Sequence, residues 1–105
     1  MRHVQVIPRN QFRLYGAIVK KEIELHRRDQ GTFRRSGPKY KDWAKWSHSS
    51  YPGWINIERG MGEVVLLEIR SKKKDAEWQL LRAILGFLDR HFASRLSTVN
   101  IQYES

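Results

Sequence analysis

Lysine and arginine residues are interleaved with aromatic residues between positions 27 and 46, and this segment is the best candidate for a binding site in the chain. Nucleic-acid binding needs both types, because lysine and arginine neutralise phosphates while flat rings stack on unpaired bases. Each stacked base contributes about 1–3 kcal/mol by alanine substitution. The segment therefore predicts a site for nucleic acid or another polyanion. The residues expected to contact it are Arg27, Arg28, Arg34, Arg35, Lys39, Lys41, Trp43, Lys45 and Trp46.

A second basic run, Lys72 to Lys74, precedes the strongest helical pattern of the chain. These lysines extend the same positive surface if both segments lie on one edge of the fold. Three charges alone supply little affinity in physiological salt, so a solvated connection is the competing interpretation.

Trp43 and Trp46 also have a purely structural interpretation. In a small domain, two bulky rings can fasten a long connection onto the sheet while the charges around them stay in water. A short helical turn over Tyr40 to Trp46 would place both rings on one side. Stacking rings and core anchors are therefore both open for these two residues.

The overall composition limits the class of protein. Hydrophobic residues make up 40% of the 105 residues, too many for a disordered chain, and positions 1–105 are predicted to form one domain. The formal net charge of +9 favours polyanionic partners. The absence of cysteine excludes disulfides and thiolate metal sites. Because we find neither a run of about 20 apolar residues nor a secretory signal, we expect a cytoplasmic protein without membrane contact.

Glu58 and Glu68 prompt a comparison with metal-dependent nucleases. The run Leu66 to Lys72 superficially resembles the acidic-x-lysine strand of restriction-endonuclease-like enzymes. Such a site needs two carboxylates converging on Mg²⁺ and a lysine. A turn centred on Met61 would separate the two glutamates by about 13 Å along the ladder, and Arg70 in the lysine position cannot act as a base. We therefore favour a metal-dependent nuclease less than a nucleic-acid-binding protein or a protein-interaction module.

The histidines show no catalytic or metal-binding pattern. His3, His26, His48 and His91 have no ligand spacing among themselves or to a nearby carboxylate. The glycines at positions 60 and 62 join two strands and open no helix, so they do not form a phosphate-binding loop. We therefore expect a binding protein without a catalytic residue, metal ion or cofactor.

The elements that position these residues follow from hydrophobic periodicity. Strand-like alternation covers four segments, with the second and third joined by a glycine-rich turn as a hairpin. These segments are His3 to Ile7, Trp54 to Arg59, Glu63 to Arg70 and Thr98 to Tyr103. Ile55 and Ile57 are expected on the same face as Val65, Leu67 and Ile69.

Two other segments have helical spacing. The first runs from Gln11 to Gln30 with Asn10 as its N-cap, and a strand over Glu22 to His26 is the competing interpretation. Its predicted buried row is Phe12, Tyr15, Val19, Ile23 and His26. The second helix is capped by Asp75. Its apolar stripe is Trp78, Leu81, Ile84, Leu85, Leu88, Phe92 and Leu96.

The element order β-α-β-β-α-β predicts a ferredoxin-like α+β sandwich, a four-stranded antiparallel sheet in order 4-1-3-2 with both helices on one face. Residues 31–53 would form a long irregular connection. The predicted central strands carry no outward ring, which disfavours an RNA-recognition motif of the usual kind. The alternative function is a protein-interaction or homodimerisation module whose charge only aids solubility. Its candidate interface residues are Trp54, Val64, Leu66, Leu80 and Phe87.

Overall fold

Six strands and two helices make up the computed structural model, which describes residues 1–38 and 40–104. The chain folds in order into β1 (Arg2–Pro8), α1 (Leu14–Arg27), β2 (Phe33–Arg35), β3 (Trp43–His48), β4 (Trp54–Arg59), β5 (Val65–Arg70), α2 (Lys74–Phe92) and β6 (Leu96–Tyr103). The strands form one sheet in the order β2-β3-β4-β5-β1-β6, and all neighbours are antiparallel. Both helices contribute to the core cluster that the sheet buries.

The predicted four-stranded ferredoxin-like sandwich is wrong, although a mixed α+β class agrees with the structure. Residues 31–53 are not an irregular connection, because they contain β2 and β3, which extend the sheet beyond β4. The predicted helical turn over Tyr40 to Trp46 is also wrong. Trp46 lies opposite Arg35 on one side and Ile55 on the other, a position in the middle of a sheet.

The first helix is present, which excludes a strand over Glu22 to His26, but it is shorter than predicted. Asn10 does not cap it; that residue lies in the preceding 3-10 turn with a φ of 52°. The buried face of α1 is rotated from the predicted row, so that His26 is exposed and a carboxylate is covered. This face consists of Leu14, Tyr15, Ile18, Val19 and Glu22.

The second helix buries a wider stripe than predicted. Leu80 and Phe87, which lie outside the predicted stripe and are candidate interface residues, are only 0% and 5% exposed, whereas Trp78 is 45% exposed. A helix lying on a sheet covers an arc of more than about 100°, so two adjacent positions per turn can be buried. Asp75 lies in the first turn of α2, and the N-cap position is Lys73. Within the described residues, no helix is long and apolar enough to cross a membrane.

Strand alternation divides the sheet into an inner face under the helices and an outer face. The predicted inward row of the hairpin is confirmed, since Ile55, Ile57, Val65, Leu67 and Ile69 are all buried. The outer face carries the alternate side chains of each strand. Among them are His3, Gln5, Trp43, Lys45, Trp54, Asn56, Glu58, Leu66 and Glu68.

Gly53 precedes β4 at a point where no side chain fits. Its φ is +121°, and an added Cβ would contact the carbonyl oxygen of Arg70. The same Cβ would lie 2.9 Å from side-chain atoms of Leu80 and Ser71. Glycine therefore allows the start of β4 to approach both β5 and α2.

Candidate functional site

Trp43 and Trp46 are separated by three positions of β3 and therefore lie on opposite faces of the sheet. The indole of Trp46 is fully buried and packs 5.6 Å from the ring of Phe33 and 5.3 Å from that of Phe87, measured between centroids. Trp43 is 37% exposed on the outer face. Trp46 is thus a core anchor and leaves the candidate contact set, whereas Trp43 remains available for stacking.

A second exposed ring extends the surface around Trp43. The ring centroid of Tyr40 lies 5.2 Å from that of Trp43, and Tyr40 is 47% exposed. Farther along the outer face, the ammonium of Lys45 lies 4.8 Å from the ring centroid of Trp54. Aromatic surface and positive charge therefore occur together at the β3 side of the outer face.

A groove of about 520 Å³ continues from Tyr40 toward α1. We call it the basic groove. Three of its lining residues are the exposed cations Arg13, Lys20 and Lys41. Gly16 also lines the groove, and it has no atom within 4 Å of the position of a Cβ, so the floor there stays open.

Sequence reasoning missed Arg13 and Lys20. Arg13 occupies the N-cap position of α1, and Lys20 lies seven residues later within the helix. The predicted contact set begins at Arg27 and therefore leaves out the cations that precede it in the chain. Only the position of Tyr40 shows which part of that helix adjoins the aromatic residues.

Two contacts fix the segment that carries Tyr40. The hydroxyl of Tyr15 donates a hydrogen bond of 3.1 Å to the backbone carbonyl of Tyr40. Arg59 binds Asp42 at 2.8 Å and Glu63 at 3.6 Å, so its charge is largely compensated. Burial and then the charge of Asp42 raise the pKa of Tyr15 above its ordinary value of 10.0, which keeps the hydroxyl a donor.

The structure places several of the predicted contact cations away from Trp43. Arg34 turns one terminal nitrogen back to the carbonyls of Gln30, Gly31 and Phe33, at 2.8–3.2 Å, and thereby holds the connection between α1 and β2. Arg27 and Arg35 line a recess of about 210 Å³ beside α1, away from Trp43. Arg28 is exposed after α1. Lys39 lies outside the described residues.

The run Lys72 to Lys74 does not extend this surface. It follows the end of β5 and opens α2, whereas Trp43 pairs with Glu58 near the opposite end of the hairpin. The three lysines are exposed. Ser71 fixes their connection by donating a hydrogen bond of 2.8 Å to the carbonyl of Pro52. The expected continuity of the two basic segments is therefore absent.

The centre of the outer face is polar and partly acidic. A shallow groove of about 530 Å³ lies over β6, β1, β5, β4 and β3. Its lining includes three carboxylates, of which Glu104 approaches His3 at 3.1 Å. The hydrogen bond from Arg70 lowers the pKa of Glu68, which also accepts one of 3.1 Å from Asn56. Phosphates are repelled from this centre, whereas neutral groups with hydrogen-bond donors are not.

Glu58 and Glu68 are closer than the predicted turn implied. The 3-10 turn Met61–Glu63 shifts the register, so that Glu58 lies opposite Leu66, two residues from Glu68. Diagonal neighbours of this kind are about 7–8 Å apart. Among residues 1–38 and 40–104, no group of three or more histidine, aspartate or glutamate side chains could hold a metal ion.

The predicted interface residues lie partly in the core and partly on the outer face. Leu80 and Phe87 lie in the core and offer no surface to a second copy of the chain. Leu66 is 40% exposed on the outer face, whereas Val64 and Trp54 are half-buried. An interface through the outer face therefore has one well-exposed apolar residue of the original five.

No protein-family model, curated protein or solved structure matches this chain.

Proposed function

We propose that the protein binds single-stranded nucleic acid where the β3 side of the outer face meets the basic groove. The observation that carries this proposal is that Tyr40 contributes both to the aromatic surface and to the basic groove. Its ring lies 5.2 Å from Trp43, and the same residue lines the groove that contains Arg13, Lys20 and Lys41. Stacking surface and phosphate-binding charge are thus contiguous.

Bases are bound by the two exposed rings. Trp43 and Tyr40 are 37% and 47% exposed, and base stacking on such rings tolerates any base, which supports binding without a strong sequence preference. A duplex hides the faces of its bases inside its own stack. Single strands are therefore the preferred ligand.

Phosphates are bound on the α1 side. Arg13, Lys20 and Lys41 provide three exposed cations along one groove, and the half-buried Lys45 adds a cation on the outer face, beside Trp54. The glutamates at the centre of the outer face repel phosphate. The backbone of the strand is consequently kept near the basic groove, with its bases directed toward Trp43.

The test is a fluorescence-anisotropy titration with a labelled thymidine oligonucleotide of about 12 residues, within the range of known single-strand sites. Trp43→Ala is expected to weaken binding about tenfold or more, because it removes a stacking ring. Trp78→Ala is the matched control: Trp78 is 45% exposed but lies on α2. Equal losses from the two variants, or equal affinity for duplex and single strand, would refute the stacking model.

Salt dependence tests the phosphate contacts separately. Each contact to a single strand contributes about 0.7 to the slope of log K against log salt. Lys20→Gln and Lys41→Gln should each reduce that slope by about this amount, whereas Lys73→Gln should leave it unchanged. A larger effect at Lys73 would move the phosphate path to the other end of the sheet. Sedimentation of the free protein identifies a dimer, the alternative function.

A further inference from the structure

A cavity of about 320 Å³ lies between α1, α2 and the strands β2 and β3, away from the basic groove. Its walls are largely aromatic. The ring of Phe33 meets that of His48 edge-on at 5.0 Å, and His48 stacks on Tyr51 at 4.6 Å. Phe87 and His91 form the wall on α2, with centroids 4.9 Å apart. A volume of this size and such flat walls suit a small planar ligand.

Glu22 lines the cavity and is the one charged side chain that the core buries in the part of the chain that the structure describes, with 4% of its surface exposed. Within residues 1–38 and 40–104, its Oε2 atom has no hydrogen-bond partner. The nearest basic group is Nδ1 of His26 at 3.6 Å, and His26 is largely exposed. A buried acceptor without a donor costs about 1–3 kcal/mol. Oε2 is covered in the free protein, so the carboxylate must turn toward the cavity before N–H donors of a ligand can pair with it and recover this free energy.

The exposed Arg90 lines the same cavity, so the lining carries one formal positive charge and the one negative charge of Glu22. The two histidines add no charge near neutral pH, because burial lowers the pKa of both His48 and His91. The Nδ1 atom of His48 accepts a hydrogen bond of 3.0 Å from the backbone N–H of Ser50, so its Nε2 carries the proton. A cavity without net charge favours a neutral ligand.

We propose that this cavity binds a guanine nucleoside, with Glu22 accepting from the base and Arg90 donating to it. Guanine is planar and neutral, and it presents two N–H donors, N1–H and the N2 amino group, on one edge. Its O6 and N7 atoms are acceptors that arginine binds in pairs. Adenine has an acceptor at N1 and would leave Glu22 facing a lone pair. The cavity therefore discriminates between the two purines.

The experiment is an NMR titration of the labelled full-length chain with guanosine, inosine and adenosine. Guanosine should shift amide resonances of residues that line the cavity, such as Glu22, Thr32 and Phe87. Inosine lacks the N2 amino group and should bind about tenfold more weakly, since one donor to Glu22 is missing. Adenosine should produce no saturable shifts. Equal affinity for guanosine and adenosine would overturn the proposal.

Two variants test the residues involved. Glu22→Gln should weaken guanosine binding about tenfold or more, because an amide supplies only one acceptor. Glu24→Gln, two positions away on the same helix, is the matched control and should have no effect. If Glu22→Gln fails to fold, Arg90→Gln at an exposed position provides the same test. Wild-type affinity in both cavity variants would reject the site.

The test of guanosine binding is independent of the test of the nucleic-acid interface. A thymidine oligonucleotide contains no guanine, so its affinity should be the same in wild type and in Glu22→Gln. Conversely, Trp43→Ala should leave the guanosine titration unchanged. Each proposal can therefore fail while the other is upheld.

Discussion

The hydroxyl of Tyr15, on α1, donates a hydrogen bond of 3.1 Å to the backbone carbonyl of Tyr40. This bond joins α1, which follows Arg13 and carries Lys20, to the segment that carries an exposed ring. Tyr15 itself is buried, with 4% exposure, so its position is set by the core. The aromatic surface is thereby held at a fixed place beside the basic groove.

Removing this hydroxyl should loosen the interface without unfolding the protein. Tyr15→Phe is expected to lower the free energy of unfolding by about 1 kcal/mol, the value of one neutral hydrogen bond. Oligonucleotide affinity should also fall several-fold, because Tyr40 must then be ordered on binding. Urea unfolding and anisotropy measure the two effects. An unchanged affinity would show that Tyr40 does not need its anchor.

The two tryptophans of β3 should differ sharply in their effect on stability. Trp46→Ala empties a fully buried site and should lower the free energy of unfolding by about 3–5 kcal/mol. Trp43→Ala removes an exposed ring and should cost less than about 0.5 kcal/mol. Urea unfolding followed by circular dichroism compares them. Similar losses would mean that Trp43 is covered in solution.

Two glycine-to-alanine substitutions are expected to change the free energy of unfolding in opposite directions. Gly53→Ala places a Cβ against the carbonyl of Arg70 at a φ of +121°, and should destabilise by about 1–3 kcal/mol or more. Gly86→Ala lies in α2 with no atom within 4 Å of the new Cβ, and should stabilise by about 0.5–1 kcal/mol. Thermal unfolding of both variants against wild type checks the pair. A stable Gly53→Ala protein would contradict the close approach of β4 to β5.

Stability should fall as pH decreases through the range in which His48 titrates. Burial lowers the pKa of His48 below its ordinary value of 6.5, so the unfolded chain takes up the proton first. The free energy of unfolding is therefore highest above pH 6.5 and falls until the lower folded pKa is passed. His48→Asn keeps an acceptor near the N–H of Ser50 but cannot titrate, so its pH slope should be flatter. His91, whose pKa burial also lowers, accounts for the slope that remains.

The fold was predictable where alternation and burial agree. β4 has the predicted bounds, and the inner row of the hairpin is buried because its apolar residues recur at every second position. β3 was missed because its outward positions carry Trp43 and Lys45 while its inward positions carry Ala44 and Trp46. Because each face of β3 carries a large ring, the alternation between polar and apolar residues that identifies a strand is lost.

The candidate site was predictable only in part. Residue types in the segment 27–46 indicated stacking and phosphate binding, and Trp43 does lie exposed on the outer face. The pairing of Tyr40 with the groove on α1 depends on tertiary contacts that no local pattern reports. Glu22 was unpredictable for another reason: a carboxylate inside the core contradicts the polarity on which periodicity depends.

β1 must wait for both of its partner strands during synthesis. It is paired with β6 from Arg2 opposite Tyr103 to Pro8 opposite Leu96, and with β5 on its other edge. These partners are far apart in sequence, and such contacts slow folding because long loops must close first. β1 is made before β5 and β6, and its edge toward β6 stays unpaired until β6 has also been made. Because unpaired strand edges aggregate, the yield of folded protein in cells depends on how well that edge is shielded in the meantime.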